Sequence, residues 1–306
     1  MQYFDLGIAW NWEPDKHFIE KITAECKRQG VSHYFVGAFN LEETIEKIKS
    51  RKLMFRMFLD RASDTDSVLL GLACLLKERG CKIINDMDKT ARAIDKGIMH
   101  VELLSKGINV PHTIIVSDFE HGLKNLHEEI SRLGSPFIIK LAHGGGGVGV
   151  MLDARAFEDL LRARHEFGEG KYLLQERIHP AFLNGKRAWF RVYYAFGKII
   201  PCWWDDITKI FDVMTKNGMH FLGLGALHEI TLKIARICGL EFFSTEIALT
   251  EERKFVSVDY VNDQCDMRLK STCYDGVPDV VVDEIIRLLI RYVVKNARKK
   301  EKTVCC

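Results

Sequence analysis

Lys140 closes the apolar run that begins at Phe137, and four consecutive glycines, Gly144 to Gly147, stand just beyond it in "PFIIKLAHGGGGVGVML". Gly149 then separates Val148 from Val150, and the chain turns apolar again. Consecutive glycines let several backbone N–H groups converge on an anion, because no Cβ stands in the way. A lysine at the end of the preceding segment adds a point charge. Together they suit the phosphates of a nucleotide. The spacing is not that of a P-loop: no Gly-Lys-Ser/Thr follows, and the next segment reads as a strand rather than a helix. Taken alone, the same run also reads as a hairpin turn.

Strands alternating with helices must hold this loop in place. "YFDLGIAW", "SHYFVGAF", "LMFRMFLD" and "CKIIND" read as strands, with helices over Lys16 to Gly30, Leu41 to Ser50 and Asp66 to Gly80 between them. That alternation predicts βαβ units and a parallel sheet over residues 1–87. No Gly-x-Gly-x-x-Gly follows the first strand, so a dinucleotide site there is not expected. A second unit, 88–175, opens with a helix over Lys89 to Lys106, ended by Gly107. It continues with the strand "VPHTIIV", a helix over Asp118 to Leu133, the glycine loop between two strands, a helix over Ala154 to Phe167 and the strand "KYLLQERI". A third unit, 176–306, carries two strand pairs. "RAWFRVYYAFGKIIPCWW" turns at Phe196-Gly197-Lys198, and "EFFSTEIAL" pairs with "KFVSVDYVN" around "TEER". A helix over Leu222 to Gly239 and an amphipathic helix over Asp279 to Lys299 complete an α/β and α+β chain.

Composition narrows the classes. Of 306 residues, 47% are hydrophobic and 28% charged, and the net charge of +2 gives no strong field for nucleic acid. "MQYFDLGIAW" lacks the basic and apolar regions of a secretory signal, and no apolar run is long enough for a transmembrane segment. The nine cysteines form no Cys-x-x-Cys pair. Cys26, Cys74, Cys81, Cys202 and Cys238 read as buried thiols, which makes a reducing cytoplasm the simplest home. The tail "NARKKEKTVCC" reads as solvated, and its Cys305-Cys306 ending does not fit a prenylation signal.

Five segments, taken in order, carry a resemblance. They are "AIDKGIMHVELLSKGINVPHTIIV", "FIIKLAHGGGGVGV", "YLLQERI", "RAWFRVYYAFGKII" and the late "VDYVND". This order and spacing resemble the ATP-grasp superfamily, and within it the carboxylate–amine ligases such as ribosomal-protein glutamate ligases, glutathione synthetases and D-alanine–D-alanine ligases. The resemblance covers Ile84 to about Arg268, and the first 84 residues resemble the Rossmann-like α/β domain that precedes the grasp. It implies ATP and Mg²⁺ or Mn²⁺. Lys96 and Lys140 would contact phosphates, with Gly144, Gly145, Gly146, Gly147 and Gly149 as a flap over them and His143 as a further contact. The backbone of Gln175, Glu176, Arg177 and Ile178 would meet the adenine edge, Glu176 serving also as a hinge or ribose contact.

The resemblance also implies a metal site. In these ligases an acid on one strand pairs with Glu-x-Asn on the next, and the ion wants hard oxygens. Glu246 fits the first acid and Asn262 the last ligand. Tyr260 stands where the family has its second acid, and Asp259 comes one residue early. Strand alternation points Asp259 away from Asn262 unless a bulge restores a common face; Asp263 and Asp266 are alternatives. Arg187 and Arg191, four residues apart in one strand-like segment, are expected to share a face. Arg191 falls at the family's arginine near the transferred phosphoryl group, and Arg187 and Arg268 are candidates for a substrate carboxylate. Trp203, Trp204, Asp205 and Asp206 sit where a substrate loop would follow the hairpin, though tryptophans there also read as core.

The expected reaction joins a carboxylate to an amine, from an amino acid or a peptide, through an acyl phosphate, with Lys140 and Arg191 catalytic. Two rivals keep the fold: a kinase acting on a small-molecule hydroxyl, and a nucleotide-binding protein weakened at Tyr260. A homo-oligomer is left open.

Overall fold

The computed structural model describes residues 1–117 and 126–304. Strand β1 (Gln2–Trp10) is buried continuously from Leu6 to Ala9, as a strand covered on both faces must be. Then follow α1 (Lys16–Gln29), β2 (His33–Val36), α2 (Leu41–Lys49), β3 (Leu53–Arg61), α3 (Ser67–Glu78) and β4 (Lys82–Ile84). All four strands are parallel, in the order β2-β1-β3-β4, because each helix returns the chain to the same end of the sheet. The α1 stripe of Phe18, Ile19, Ile22 and Cys26 packs with Leu6 and Ile8, whereas Leu69, Leu72, Ala73 and Leu76 of α3 pack with Phe55 and Phe58. Cys74 corrects one expectation. It is exposed, because it lies about 100° round the helix from buried Ala73.

A second group comprises α4 (Met87–Ala93), α5 (Lys96–Ser105), β5 (Thr113–Val116), α6 (Leu126–Ser131), β6 (Phe137–Leu141), β7 (Val150–Ala154), α7 (Phe157–Phe167) and β8 (Tyr172–Gln175). Its strands form an antiparallel sheet in the order β5-β8-β6-β7. The single helix expected over Lys89 to Lys106 is two. Asp95 accepts the Gly97 and Ile98 N–H groups at 2.8 and 3.0 Å, so its side chain starts a new helix at Lys96. The helix expected to begin at Ala154 begins at Phe157, since Ala154 still pairs with Phe137 in the sheet. Of the helix expected over Asp118 to Leu133, residues 118–125 lie outside the described residues, as do Cys305 and Cys306.

The third group is β9 (Phe182–Leu183), β10 (Lys186–Arg187), β11 (Trp189–Ala195), β12 (Lys198–Trp204), β13 (Phe211–Val213), α8 (Lys216–Phe221), α9 (Ala226–Cys238), β14 (Phe242–Leu249), β15 (Phe255–Asn262) and α10 (Asp279–Val304). An antiparallel sheet runs β13-β12-β11-β14-β15. One face buries Phe190, Val192, Ile247 and Leu249 against Leu227 of α9. The other buries Trp189, Tyr193 and Trp204 against the α10 stripe and the first sheet. Helix α10 is therefore a wedge between two sheets, tied to α1 by Lys21–Asp283 at 2.8 Å. Helix α9 starts at Ala226 rather than Leu222, because Gly223 turns left-handed (φ 69°) and separates it from α8. Arg187 and Arg191 do not share a strand. Ala188 is drawn to Ala181 and Leu249 by backbone hydrogen bonds of 2.7 and 2.8 Å, which ends the β9–β10 ribbon and begins β11. No helix of the described residues is long and apolar enough to cross a membrane.

Candidate active site

The helix start at Asp95 does more than divide a helix. It places Lys96 in the first turn of α5, with its N–H on the Ala142 carbonyl at 3.0 Å and its ammonium donating to the Gly144 carbonyl. Lys171 and His143 approach the same Asp95 carboxylate, at 2.8 and 3.6 Å. Burial works to raise the Asp95 pKa, but Lys171 and the two backbone donors hold it below the ordinary range. Lys96, His143 and the glycine loop, 48 residues apart in sequence at the Lys96–Gly144 contact, are thus one local structure.

The loop between β6 and β7 is bare. A side chain added at Gly145, Gly146 or Gly147 would meet nothing within 4 Å, and Gly144, Gly146 and Gly147 all have positive φ. Gly149 differs: its φ is 72°, and a Cβ there would lie 2.6 Å from Leu141 Cδ1. One end of the loop is held by close packing and the rest is open to a ligand's approach.

Lys140, on β6, reaches across to the other sheet and donates to the Val258 carbonyl at 3.4 Å. Burial pulls its pKa below the ordinary lysine value. The Asp259 and Glu246 carboxylates oppose that fall, and the Lys96 charge adds to it. Lys140 therefore sits within electrostatic reach of both candidate metal carboxylates and of Lys96.

On β15 the alternation rule is broken twice. Ser257 pairs with Ile247, Asp259 with Glu246 and Asn262 with Ser244, with register shifts on either side of the Glu246 pair. Each shift inserts one extra residue into β15. Directly opposed residues share a face, so Asp259 and Asn262 both join the face of Glu246. Tyr260 goes the other way. Its buried hydroxyl meets His100 Nδ1 of α5 at 2.7 Å and Gln175 Nε2 of β8 at 3.0 Å. Asp263 instead lies near Asp64; burial, with that carboxylate nearby, pushes its pKa up to about 6. Asp266 is bound to Arg268. Among the described residues no three His, Cys, Asp or Glu side chains cluster as a metal site. Two carboxylates and an amide oxygen on one face are the donor set for a hard ion that takes its remaining ligands from phosphates, so the residues fit Mg²⁺.

Glu246 is already engaged. Its Oε1 pairs with Arg191 on the neighbouring strand, and its Oε2 accepts the Trp189 indole N–H at 3.1 Å. The Arg191 guanidinium lies 4.4 Å from the Trp204 ring centroid, and its buried Nε has no hydrogen-bond partner among the described residues. Burial opposes the Arg191 charge, yet Glu246 more than offsets it, and the pKa stays above the ordinary arginine value. Trp189 was not singled out from sequence; the alternation Trp189-x-Arg191-x-Tyr193 on one strand face was the available signal. Trp204 is both core and site: 7% exposed, and stacked on Arg191.

The remaining candidates are placed as follows. Gln175 is buried within the sheet between Thr113 and Ile138, and its amide bridges Thr113 and Tyr260. The Glu176 carboxylate accepts the His112 N–H at 2.7 Å. Arg177 and Ile178 follow with backbone groups that make no hydrogen bond among the described residues. Arg187 is held by Asp206 through contacts of 2.7 and 2.9 Å. Arg268 is gripped by Asp266 and Asp275 together. Both arginines are therefore neutralised from within the protein.

No protein-family model matches the sequence, and no curated protein matches it. Solved structures do match. A D-alanine–D-alanine ligase from Bacillus anthracis, complexed with ATP, superposes with a TM-score of 0.69 at 14% identity, over 98% of this chain and 99% of that one. A RimK domain ATP-grasp protein from Sphaerobacter thermophilus gives 0.60 at 20% identity, over 92% and 97%. The ATP-grasp ligase PsnB, complexed with minimal precursor, Mg and ADP, gives 0.60 at 14% identity, over 93% and 98%. The chain has the ATP-grasp fold, and its structural neighbours are ATP-grasp ligases.

Proposed function

We propose that the protein is an ATP-dependent carboxylate–amine ligase. The observation that carries this reading is that Lys140 crosses from β6 to the Val258 carbonyl of β15, next to Asp259 and its strand partner Glu246, on the side of an open glycine loop that Lys96 contacts. In this reading residues 1–87 precede the grasp, 88–175 form the lobe that carries the glycine loop, and 176–306 form the lobe that carries the metal residues. ATP binds between the lobes, its adenine edge against the unpaired backbone of Arg177 and Ile178. Glu246, Asp259 and Asn262 would hold Mg²⁺, which supplies charge neutralisation at the phosphate oxygens.

A carboxylate oxygen of the first substrate attacks the γ-phosphorus, the bond to the ADP oxygen breaks, and an acyl phosphate forms. The amine nitrogen then attacks the acyl carbon, phosphate departs with the original carboxylate oxygen, and the amine proton is lost. Lys96, Lys140 and Arg191 stabilise and position the transferred group, and no protein nucleophile is required. The glycine loop excludes water from the acyl phosphate. Amino acids or peptides are the substrate classes that the named neighbours suggest, and a cytoplasmic setting supplies ATP.

The engagement of Glu246 by Arg191 and Trp189 favours a second reading, a nucleotide-binding protein without turnover. One assay separates the two: ADP and phosphate release from Mg²⁺–ATP with amino acids and short peptides, singly and in pairs. The ligase reading expects release only when a carboxylate and an amine are both present, and none from Lys140→Ala. Nucleotide binding with no release from any pair would support the second reading. ADP release without free phosphate, driven by a polyol phosphate alone, would point to a kinase.

A further inference from the structure

A groove of ≈ 540 Å³ runs between α5 and α9, lined by Arg92, Glu102, Lys106, Lys233, Arg236 and Ile237, among others. Arg92 and Glu102 neutralise each other through two contacts, one of 2.8 Å. Lys106, Lys233 and Arg236 are exposed and have no ion-pair partner among the described residues, so the groove carries three uncompensated positive charges. Helix C-termini explain two of them one at a time: Lys106 caps α5, and Arg236 lies in the last turn of α9. They do not explain Lys233, nor the apolar strip beside the groove. Ile98, Val101 and Leu104 of α5 are 39%, 57% and 59% exposed and recur every third residue, on one side of the helix. Ser105, which also lines the groove, falls between Ile98 and Val101 on that helix surface.

A ligand for this surface needs carboxylates for the three cations and aliphatic side chains for α5. No aromatic ring lines the groove to stack a base, and three cations on a chain of net charge +2 are few for nucleic acid. A concave cleft suits an extended chain better than a lipid surface does. We propose that the α5–α9 groove docks an acidic peptide segment with interspersed aliphatic residues. Lys96 and Lys106 stand at opposite ends of α5, about 15 Å apart along its axis, so the groove's cations are separate from the candidate active site, and of the strip only Ile98 lies near it. The proposal does not depend on the ligase reading.

The test uses the full chain and a fluorescein-labelled peptide that alternates Glu with Leu, followed by anisotropy. A counterpart with Lys for every Glu, and phosphatidylserine vesicles, are the controls. Saturable binding of the Glu/Leu peptide that weakens as salt rises is expected. The triple variant Lys106→Glu/Lys233→Glu/Arg236→Glu should weaken it by about tenfold or more at a temperature well below both unfolding midpoints, the variant's midpoint being only slightly lower because all three residues are exposed and only Lys106 and Arg236 sit at helix C-termini. Val101→Ser/Leu104→Ser should weaken it with no change in salt dependence. Equal binding of the two peptides, equal binding by wild type and the triple variant, or vesicle binding without peptide binding would each overturn the proposal.

Discussion

Asp259 lies directly across from Glu246, although strict alternation from Asn262 would turn it to the other face of the sheet. Two register shifts in β15 produce this opposition, and the same shifts send Tyr260 to His100 and Gln175. The shifts put an acid beside Glu246 although Tyr260 stands where alternation would place one. Tyr260 becomes a tie between β15, α5 and β8.

In the ligase reading, Asp259 rather than Asp263 would be the second metal carboxylate. Asp259→Asn is expected to weaken Mn²⁺ binding in the presence of ADP by about tenfold or more, whereas Asp263→Asn leaves it near wild type. Electron paramagnetic resonance of free Mn²⁺ reads both without turnover. The reverse ranking would place the metal on the far side of Asn262.

The Arg191–Glu246 pair is nearly buried, with side chains 13% and 12% exposed. Removing one partner leaves the other charge in a poorly solvated site. Glu246→Gln is expected to lower unfolding free energy in urea by about 3 kcal/mol. The double variant Arg191→Met/Glu246→Gln should recover much of that loss, since no unpaired charge remains. If the double variant is no more stable than the single one, the cost does not come from the stranded arginine.

The order of elements was legible because period-2 and period-3.6 patterns report burial directly, and the first sheet's strands and helices are placed by that alone. Lys140 and the glycine loop were legible as residue types near a strand end, whereas Glu246, in the middle of β14, and Asn262 were reached only through the family resemblance. The register of β15 was not legible, since a bulge depends on which neighbour a strand meets and not on its own pattern. The break at Asp95 was only partly legible: Asp-Lys-Gly is a helix-start signal, but it lies inside a continuous helical period. The pairing of Arg187 with Asp206 and of Arg268 with Asp266 and Asp275 joins charges through chain reversals that no local spacing announces.

The burial of His100, beside Tyr260, makes stability depend on pH. Burial, with the nearby His112 charge, holds the His100 pKa below its ordinary value of 6.5. The unfolded chain therefore binds more protons than the folded one just below that value. The stability that neutral His100 contributes is complete above about pH 6.5 and is lost as pH falls through the window beneath it. The unfolding free energy of wild type, measured relative to His100→Gln, should fall between about pH 7.5 and about pH 5.5. A flat difference across that range would mean that His100 titrates alike in both states.

Gly149 is the glycine of the loop that close packing requires. Its φ of 72° is one that L side chains rarely adopt, and a Cβ would stand 2.6 Å from Leu141 Cδ1 and 3.2 Å from Leu141 Cβ. Gly149→Ala is expected to cost about 2 kcal/mol in urea unfolding, backbone strain and the clash together. Gly146→Ala, with φ 63° and nothing within 4 Å, carries strain alone and should cost about 1 kcal/mol. Leu141→Ala in the Gly149→Ala background removes the obstructing methyl groups. The second substitution should therefore cost less there than Leu141→Ala costs in wild type, a coupling between the two positions. Additive costs would mean that Leu141 already moves aside freely and that backbone strain alone makes Gly149 necessary.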